Sequence, residues 1–287
     1  MPLHGFGTWK VTKDDAPELI PKVIEAGVRH IDCALVYGNQ EAIGKGIKNA
    51  LDRKIVKREE LVITSKLWNT NHRPENVKKD VAHTLRQLGL DYLDYYIMHF
   101  PVSLRYQDTD SPDWSDPQTG RPELDPVPIV DTWRAMEALV DEGKVKAIGV
   151  SNFGVALMHD LMASARIPIS ICQVELHPYL AQPRLVEWCQ AQGIQMVAYS
   201  SFGPSSYDSS KHVPPLFEHE TVVALAKQLK RSPAQILLRW ATQRGIAVIP
   251  KSSSAERAKE NLSLDFKLDD AAYAALDKLD QGLRFND

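Results

Sequence analysis

Short apolar runs rich in β-branched residues recur along the whole chain, and this repeat constrains the fold more than any other feature. Such runs are typical of strands buried on both faces of a parallel sheet. Segments of helical period separate them, several opened by a proline and closed by a glycine. We therefore predict strands at residues 3–9, 29–34, 62–64, 95–98, 147–150, 170–174, 196–199 and 247–250, with helices that include residues 74–88, 129–140 and 183–189.

The number of units indicates a barrel. Eight units in 287 residues give about 36 residues each, which suits a (β/α)8 TIM barrel. An open doubly wound sheet is the alternative, but its G-x-G-x-x-G fingerprint is only half present, at Gly5 and Gly7. No linker-like segment divides the chain, so we predict a single α/β domain over residues 1–287.

Two long segments interrupt the repeat after strands 4 and 7. Residues 101–128 are rich in proline and aspartate, and residues 203–215 are rich in serine and proline. Loops of this length usually form lids or binding loops in compact domains. We expect both to line a site; a surface insertion without fixed structure is the alternative for the first.

The composition argues against several classes of partner. The 34 basic and 37 acidic side chains give a formal charge of −3, and no basic block suggests a nucleic-acid or membrane surface. The apolar runs are far shorter than the roughly 20 residues of a membrane span. No export or organelle signal is visible, so a cytoplasmic location is expected. Cys33, Cys172 and Cys189 are spaced neither as a disulfide framework nor as metal ligands, so no metal is predicted.

Polar residues follow almost every predicted strand, at the barrel end where active sites lie. Each has an ordinary explanation, such as a helix cap or a turn. Together they predict a carboxylate, an ammonium, an imidazole and a phenol at one mouth. These residues are Asp32, Lys66, His99, Ser151, Asn152, Gln173, Glu175, Tyr199, Ser200 and Lys251, with Tyr37 five residues after the first of them.

A series of short motifs occurs in fixed order along the chain. They are Gly5-Phe-Gly-Thr-Trp-Lys10, Asp32-Cys-Ala-Leu-Val-Tyr-Gly38, Thr64-Ser-Lys-Leu-Trp68, Met98-His-Phe-Pro101, Gly149-Val-Ser-Asn-Phe153, Gln173-Val-Glu-Leu-His-Pro178 and Ile249-Pro-Lys-Ser252. The series resembles the aldo-keto reductases, NAD(P)H-dependent (β/α)8 enzymes, over almost the whole chain. Residues 198–204 and 282–287 are most similar to the xylose reductase branch, whereas residues 67–70 and 177–182 also suit general aldehyde reductases.

The chemistry of carbonyl reduction suggests roles for four of these residues. Hydride transfer to an aldehyde builds negative charge on its oxygen, so a proton donor must be aimed there. Tyr37 is the candidate donor, and the Lys66 ammonium would favour its ionised form and bring the proton within reach. Asp32 would hold Lys66, and His99 would orient the carbonyl. The resemblance implies the same Asp-Tyr-Lys-His tetrad at these positions.

Residues 251–257 predict a phosphate site, because they leave the eighth strand and enter a helix. Ser253 and Glu256 are spaced as a capping box. The helix N-terminus, Lys251 and Arg257 together suit the 2′-phosphate of NADPH. Xylose reductases often carry Asn where this chain has Ser253, and that Asn helps some of them accept NADH. We therefore predict NADPH as the cofactor, with NADH the less favoured alternative.

The resemblance implies further cofactor contacts. Ser151, Asn152 and Gln173 would hold the carboxamide, and Tyr199 would stack on the nicotinamide. Residues 200–205 would close over the pyrophosphate. The complete set is Thr8, Ser151, Asn152, Gln173, Tyr199, Ser200, Ser201, Phe202, Ser205, Lys251, Ser252, Ser253 and Arg257, with Glu260 and Asn261 at the adenine.

The predicted substrate walls are Trp9, Phe100 and Phe202, because an apolar pocket strengthens the electrostatics of the reaction. Asn286 matches a family position that hydrogen-bonds a sugar hydroxyl. Xylose reductases typically carry an Asp just before the catalytic Tyr, where this chain has Val36. A missing partner costs roughly 1–3 kcal/mol, so we expect weak pentose binding and a preference for glyceraldehyde or a uronate.

Two other functions are compatible with a barrel of this kind. One is a cofactor-binding regulatory subunit with slow turnover. The other is an aldolase in which Lys66 forms a Schiff base and residues 251–257 hold a sugar phosphate. For the reductase we expect a small-molecule partner and a monomer or homodimer.

Overall fold

The computed structural model describes residues 1–107, 115, 118–206 and 213–286. Its eight strands form one parallel sheet in chain order. The strands are β1 (Phe6–Gly7), β2 (His30–Asp32), β3 (Val62–Leu67), β4 (Leu93–Met98), β5 (Val145–Ser151), β6 (Ile171–Glu175), β7 (Gln195–Tyr199) and β8 (Ala247–Val248).

Backbone hydrogen bonds join β8 to the chain just before β1 and close the barrel. The Gly5 N–H donates to the Val248 carbonyl at 2.7 Å, and the Val248 N–H donates to the Leu3 carbonyl at 2.9 Å. The predicted (β/α)8 barrel is confirmed.

The helices pack around this barrel. Pro74 opens the third helix and Gly89, at a φ of 65°, closes it, so this helix has the predicted bounds. Two helices follow β7, where the repeat predicted one. The described helices are α1 (Ala16–Glu25), α2 (Gln40–Asp52), α3 (Pro74–Leu88), α4 (Ile129–Asp141), α5 (Val155–Ser164), α6 (Pro183–Ala191), α7 (Glu220–Leu229), α8 (Pro233–Thr242), α9 (Ala255–Leu262) and α10 (Asp270–Asp277).

The first and last strands are shorter than predicted. A Cβ on Gly7 would lie 2.6 Å from the Ile249 carbonyl oxygen, so only glycine permits this close approach of the two chain segments. The chain then turns, with the Val11 N–H donating to the Thr8 carbonyl at 3.1 Å. Pro250 has no N–H to donate and limits the last strand.

The core has two parts. A small cluster fills the barrel interior, and a much larger one lies between strands and helices. The interior cluster consists of Ile97, Ile171, Val197, Ala247 and Ile249. None of the described helices has both the length and the hydropathy needed to cross a membrane.

The two predicted long loops follow β4 and β7. At the base of the first, Leu104 and Leu124 form an antiparallel bridge, and Arg105 pairs with Glu123 at 2.9 Å. Residues 108–114, 116–117 and 207–212 lie outside the described chain, so the expected lining role of those parts of the loops stays a prediction.

Candidate active site

Three of the four predicted catalytic side chains meet around one ammonium group. Lys66, in β3, places Nζ 2.5 Å from Asp32 Oδ1, 2.8 Å from the Cys33 carbonyl and 3.3 Å from the Tyr37 hydroxyl oxygen. Each of these acceptors takes a proton of the ammonium. Lys66 is fully buried and its carboxylate partner is 2% exposed, so a charge that would be costly alone is paired and hydrogen-bonded.

The position of Tyr37 follows from the local backbone. Residues Leu35–Tyr37 form one 3-10 turn after β2, closed by Gly38 at a φ of 66°. This turn carries the phenol over the end of the strand that holds Asp32. The phenol is partly exposed, and it can therefore contact both the ammonium and a molecule at the mouth.

Burial controls the protonation of Tyr37. Desolvation, and then the Asp32 carboxylate, raise the pKa of Tyr37 well above its ordinary value of 10.0. This direction is opposite to the lowering that sequence analysis expected from Lys66. Tyr37 therefore keeps its proton at neutral pH, as a proton donor must before the reaction begins.

His99 directly follows β4 and faces the same group of residues. Its ring centroid lies 6.0 Å from that of Tyr37, and its ring stacks on Phe100 at 5.2 Å. Burial, and then the positive charge of Lys66, lower the pKa of His99 well below 6.5. The imidazole is therefore neutral, and its Nδ1 has no hydrogen-bond partner among the described residues.

A hydrogen-bond network surrounds the tetrad. Gln173, in β6, donates from Nε2 to Asp32 Oδ2 at 2.8 Å. Asn152 donates from Nδ2 to the His99 carbonyl at 2.9 Å and to Ser151 Oγ at 3.2 Å. Its Oδ1 accepts the Tyr199 hydroxyl proton at 2.7 Å. These predicted cofactor residues thus lie beside the tetrad.

The phosphate site after β8 is built differently from the prediction. The predicted capping box of Ser253 and Glu256 is wrong, because α9 begins at Ala255 and its N-cap is Ser254. Ser254 Oγ accepts the Arg257 N–H at 3.3 Å, and Ser253 Oγ accepts from the Arg257 guanidinium at 2.7 Å. Since Ser253 does not cap the helix, its hydroxyl lies outside the first turn.

The residues present fit a nicotinamide dinucleotide phosphate. Lys251 and Arg257 are exposed cations beside a helix start, a suitable cradle for a phosphate. No hydrogen bond to Gln173 Oε1 is found among the described residues, so an acceptor is available for a carboxamide N–H. One end of such a molecule would then lie at the tetrad and the other at α9.

The other predicted cofactor residues differ in burial and in local contacts. Thr8 is buried, and its hydroxyl donates to the Asp32 carbonyl at 2.8 Å. Ser200 adopts a positive φ of 52°, and the Phe202 ring packs on Phe217 at 4.9 Å. Ser201, Ser252 and Asn261 are buried, the last of them in α9. Ser205, in the turn Gly203–Ser206, and Glu260 are exposed.

A large cavity opens beside the tetrad. Its volume is about 710 Å³, and its lining includes Phe100, Asn152 and Asn286. The lining also contains Arg184, at the start of α6, and Arg284. The other predicted substrate residues, Trp9, Val36 and Phe202, are not among the lining residues of this cavity. Trp9 is 38% exposed, and Val36 is partly buried next to Tyr37 in the sequence.

Glu175 ends β6, and its position in the sequence predicted no role for it. Glu175 is fully buried and lies 2.8 Å from His177 Nε2. Burial favours a higher pKa, but hydrogen bonds from His177 and from the N–H groups of Asn286 and Phe285 outweigh it and lower the pKa of Glu175. The spacing of Glu175 and His177 was the only signal of this pair in the sequence.

An eight-stranded barrel with these four side chains at its mouth and two cations beside a helix start is the arrangement expected of an oxidoreductase that uses a nicotinamide cofactor. The chain belongs to the aldo/keto reductase family, whose model matches residues 4–281. No group of three or more potential metal ligands is present among the described residues.

Similar proteins match the chain over its whole length. It is 45% identical to the NADPH-dependent D-xylose reductase of Meyerozyma guilliermondii, over all of this chain and 93% of that protein. It is 47% identical to the NAD(P)H-dependent D-xylose reductase of Scheffersomyces stipitis, again over all of this chain and 93% of that protein. The aldose reductase structure from Schistosoma japonicum matches with a TM-score of 0.89 and 38% identity, over 99% of this chain and 90% of that chain.

Proposed function

We propose that this protein reduces aldehydes and aldoses to alcohols with NADPH, and that Tyr37 donates the proton. One observation carries the proposal: the buried Lys66 ammonium donates to the Tyr37 oxygen at 3.3 Å while Asp32 holds it at 2.5 Å. When bound, NADPH supplies the hydride.

Each tetrad residue has a defined task in this proposal. Tyr37 gives its proton to the carbonyl oxygen as negative charge develops there. Lys66 then stabilises the phenolate through its existing hydrogen bond, and Asp32 keeps Lys66 in place. The neutral His99 imidazole orients the carbonyl by a hydrogen bond without adding charge. The ammonium already has three acceptors, which argues against its use as a Schiff-base amine.

The exposed cations support NADPH over NADH. Lys251 and Arg257 would neutralise the 2′-phosphate, and Ser253 would donate its hydroxyl proton to it. Ser252 precedes Ser253 and donates its own hydroxyl proton to the Ser254 carbonyl at 2.9 Å. Gln173, with Ser151 and Asn152, would hold the carboxamide against Tyr199. Thr8, Glu260, Asn261 and residues 200–205 complete the proposed contacts.

The relatives' names support an aldose as substrate, since both yeast proteins are named D-xylose reductases. Asn286 would bind a sugar hydroxyl, and Trp9, Phe100 and Phe202 would form apolar walls. Val36 offers no hydrogen bond where an Asp is typical. We therefore expect xylose to be reduced, with a higher KM than glyceraldehyde.

A uronate is the second candidate substrate, and the cavity beside the tetrad favours it. Arg184 and Arg284 line this cavity, no Asp or Glu is among its lining residues, and neither arginine is ion-paired within the described chain. A carboxylate at the far end of an aldose would gain from both cations. The ratio of kcat/KM for D-galacturonate to that for D-galactose measures this gain. Arg184→Ala should lower the ratio, whereas Arg134→Ala, on the exposed face of α4, should not.

We further propose that the enzyme acts in the cytoplasm as a monomer or homodimer. Cell fractionation and light scattering of the purified protein test the two points.

Replacing Tyr37 by Phe tests the main proposal. NADPH oxidation with glyceraldehyde should fall about 10²- to 10⁴-fold, the usual contribution of a positioned acid, because the hydroxyl serves chemistry. NADPH affinity, measured by fluorescence titration, should stay near the wild-type value.

Tyr95→Phe is the matched control. Tyr95 packs beside the interior cluster two residues before Ile97, toward the other end of β4. This variant should keep wild-type turnover. Wild-type turnover in the Tyr37 variant, or trapping of a lysine adduct by borohydride in the wild type, would contradict the proposal.

A further inference from the structure

The last described residues lie across the mouth of the barrel without forming a helix or strand. We call residues 281–286 the C-terminal segment. The N–H groups of Gln281 and Leu283 both donate to the Tyr179 carbonyl, at 3.2 and 3.0 Å. Asp280 Oδ1 accepts the Gly282 N–H at 3.1 Å and the Ala181 N–H at 3.3 Å. The start of the segment is thus fixed to the loop that follows β6.

The end of the segment is held by one buried carboxylate. Glu175 Oε1 accepts the Phe285 N–H and Oε2 accepts the Asn286 N–H, both at 2.9 Å. His177 Nε2 lies 2.8 Å from Oε1, and both side chains are fully buried. Burying a carboxylate is costly unless donors surround it, and these groups supply them.

The same segment is linked to the candidate active site. Asn286 Nδ2 donates to the Tyr199 hydroxyl oxygen at 2.9 Å, and that hydroxyl donates to Asn152 Oδ1 at 2.7 Å. Asn152 in turn donates to the His99 carbonyl at 2.9 Å. A continuous path of contacts therefore runs from the Glu175 carboxylate to the main chain of His99.

The carboxylates of Glu175 and Asp280 hold different parts of the C-terminal segment. Asp280 fixes Gly282, four residues before Asn286, and the hydrogen bonds to Tyr179 support the same part of the segment. Among the described residues, the Glu175 carboxylate is the one group found to hydrogen-bond the main chain of Asn286 itself. The orientation of the Asn286 amide toward the mouth therefore depends on Glu175.

We propose that Glu175 is a positioning residue for substrate selection: its carboxylate fixes the main chain of Phe285 and Asn286, and thereby aims the Asn286 amide at the mouth. This inference rests on the proposed reductase function. Glu175 acts through Asn286 and does not touch the reacting atoms.

The substitution Glu175→Gln keeps the size of the side chain but presents an NH2 group to one of the N–H donors. The KM for D-xylose should rise about 3- to 10-fold, the loss expected for one positioned hydrogen bond. The kcat and KM for propanal should stay at wild-type values, because propanal has no hydroxyl to reach Asn286. A purely structural role would lower turnover of both substrates together.

Two further variants sharpen this test. In an Asn286→Ala background, Glu175→Gln should cause no additional change in the xylose to propanal ratio, since the two residues act in one path. Asp280→Asn is the matched control: it is the same chemical change at the other carboxylate that holds the segment, and it should leave the ratio unchanged.

Amide hydrogen exchange of the wild-type protein gives a readout independent of activity and of the variant's folding. The amides of residues 285 and 286 should be protected, and Glu175→Gln should remove the protection of one of the two, because the remaining side-chain oxygen can accept only the other N–H. Unprotected amides in the wild type, or an unchanged substrate ratio in a folded Glu175→Gln variant, would overturn the inference. Absence of propanal reduction by the wild type would instead overturn the proposed function.

Discussion

At the scale of single residues, burial decides which charges this protein carries. Asp80, in α3, accepts hydrogen bonds from the Tyr96 hydroxyl and from Asn71 Nδ2 at 2.5 Å. Burial outweighs these bonds and raises the pKa of Asp80 from 3.8 to about 7. The folded protein therefore keeps a proton on Asp80 over a pH range in which the unfolded chain has lost it.

Asp80→Asn should remove this pH dependence. Between about pH 4 and pH 7 the folded state binds more protons at this site, so its contribution to the free energy of unfolding falls as the pH rises. The loss is on the order of 2 to 4 kcal/mol. Urea unfolding at several pH values should show the wild type losing stability relative to the variant over this range. A constant difference between the two proteins would contradict the assigned pKa.

Residue roles could be predicted where they depend on position in the strand repeat. Asp32, Lys66 and His99 lie at or near strand ends, and in a parallel barrel those ends meet at one mouth. Glu175 and Asp80 could not be predicted in this way. Two of the donors to Glu175 lie 110 and 111 residues further along the chain. The pKa of Asp80 depends on burial that no local pattern shows.

At the scale of elements, two neighbouring serines at the start of α9 have different roles: one stabilises the helix, and the other is proposed to bind the cofactor. Ser254 caps the helix, and Ser253 contacts the Arg257 guanidinium. Ser254→Ala should lower the free energy of unfolding by about 1 kcal/mol, the usual value of an N-cap. Ser253→Ala should leave stability unchanged and raise the KM for NADPH, but not that for NADH, because it removes a donor to the 2′-phosphate.

The pair of variants checks both points, by thermal unfolding and by steady-state kinetics with each cofactor. If Ser253→Ala lowered the free energy of unfolding, Ser253 would contribute to capping the helix, as the sequence predicted. Equal changes in the KM for NADPH and NADH would show that Ser253 does not distinguish the two cofactors.

Element boundaries could be predicted where a local signal marks them. Pro74 and Gly89 set the bounds of α3. The start of α9 was wrong by one residue because three successive serines can each cap a helix, and sequence alone does not choose between them. β1 ended early because the chain turns at Thr8, and β8 because Pro250 has no N–H to donate. The close approach of Gly7 to Ile249, between distant parts of the chain, could not be predicted from a local signal.

At the scale of the whole molecule, several buried histidines make the folded protein more stable at neutral pH than in mild acid. Burial, the largest influence at each site, lowers the pKa of His4, His30 and His72 from 6.5 to about 4. These residues occupy separate places in the fold: before β1, in β2 and after β3. The protein therefore excludes protons at three sites that the unfolded chain would protonate in mild acid.

The sum of these sites predicts loss of stability in mild acid. Between pH 6.5 and about pH 4 the unfolded chain binds more protons at each histidine, so the free energy of unfolding falls as the pH falls. Each site contributes at most roughly 3 kcal/mol, and Asp80 offsets part of the total. This sum is comparable to the whole stability of a typical domain, about 5–15 kcal/mol. We therefore expect the melting temperature to fall steeply over this pH range.

One substitution and its control test whether the buried histidines cause this loss of stability in acid. His72→Gln should make the pH dependence of the melting temperature shallower, because one of these protonation sites is gone. His159→Gln, at an exposed position of α5, should leave it unchanged. If both variants follow the wild-type curve, the acid sensitivity does not come from His72, and the carboxylate pairs of the fold would have to account for it.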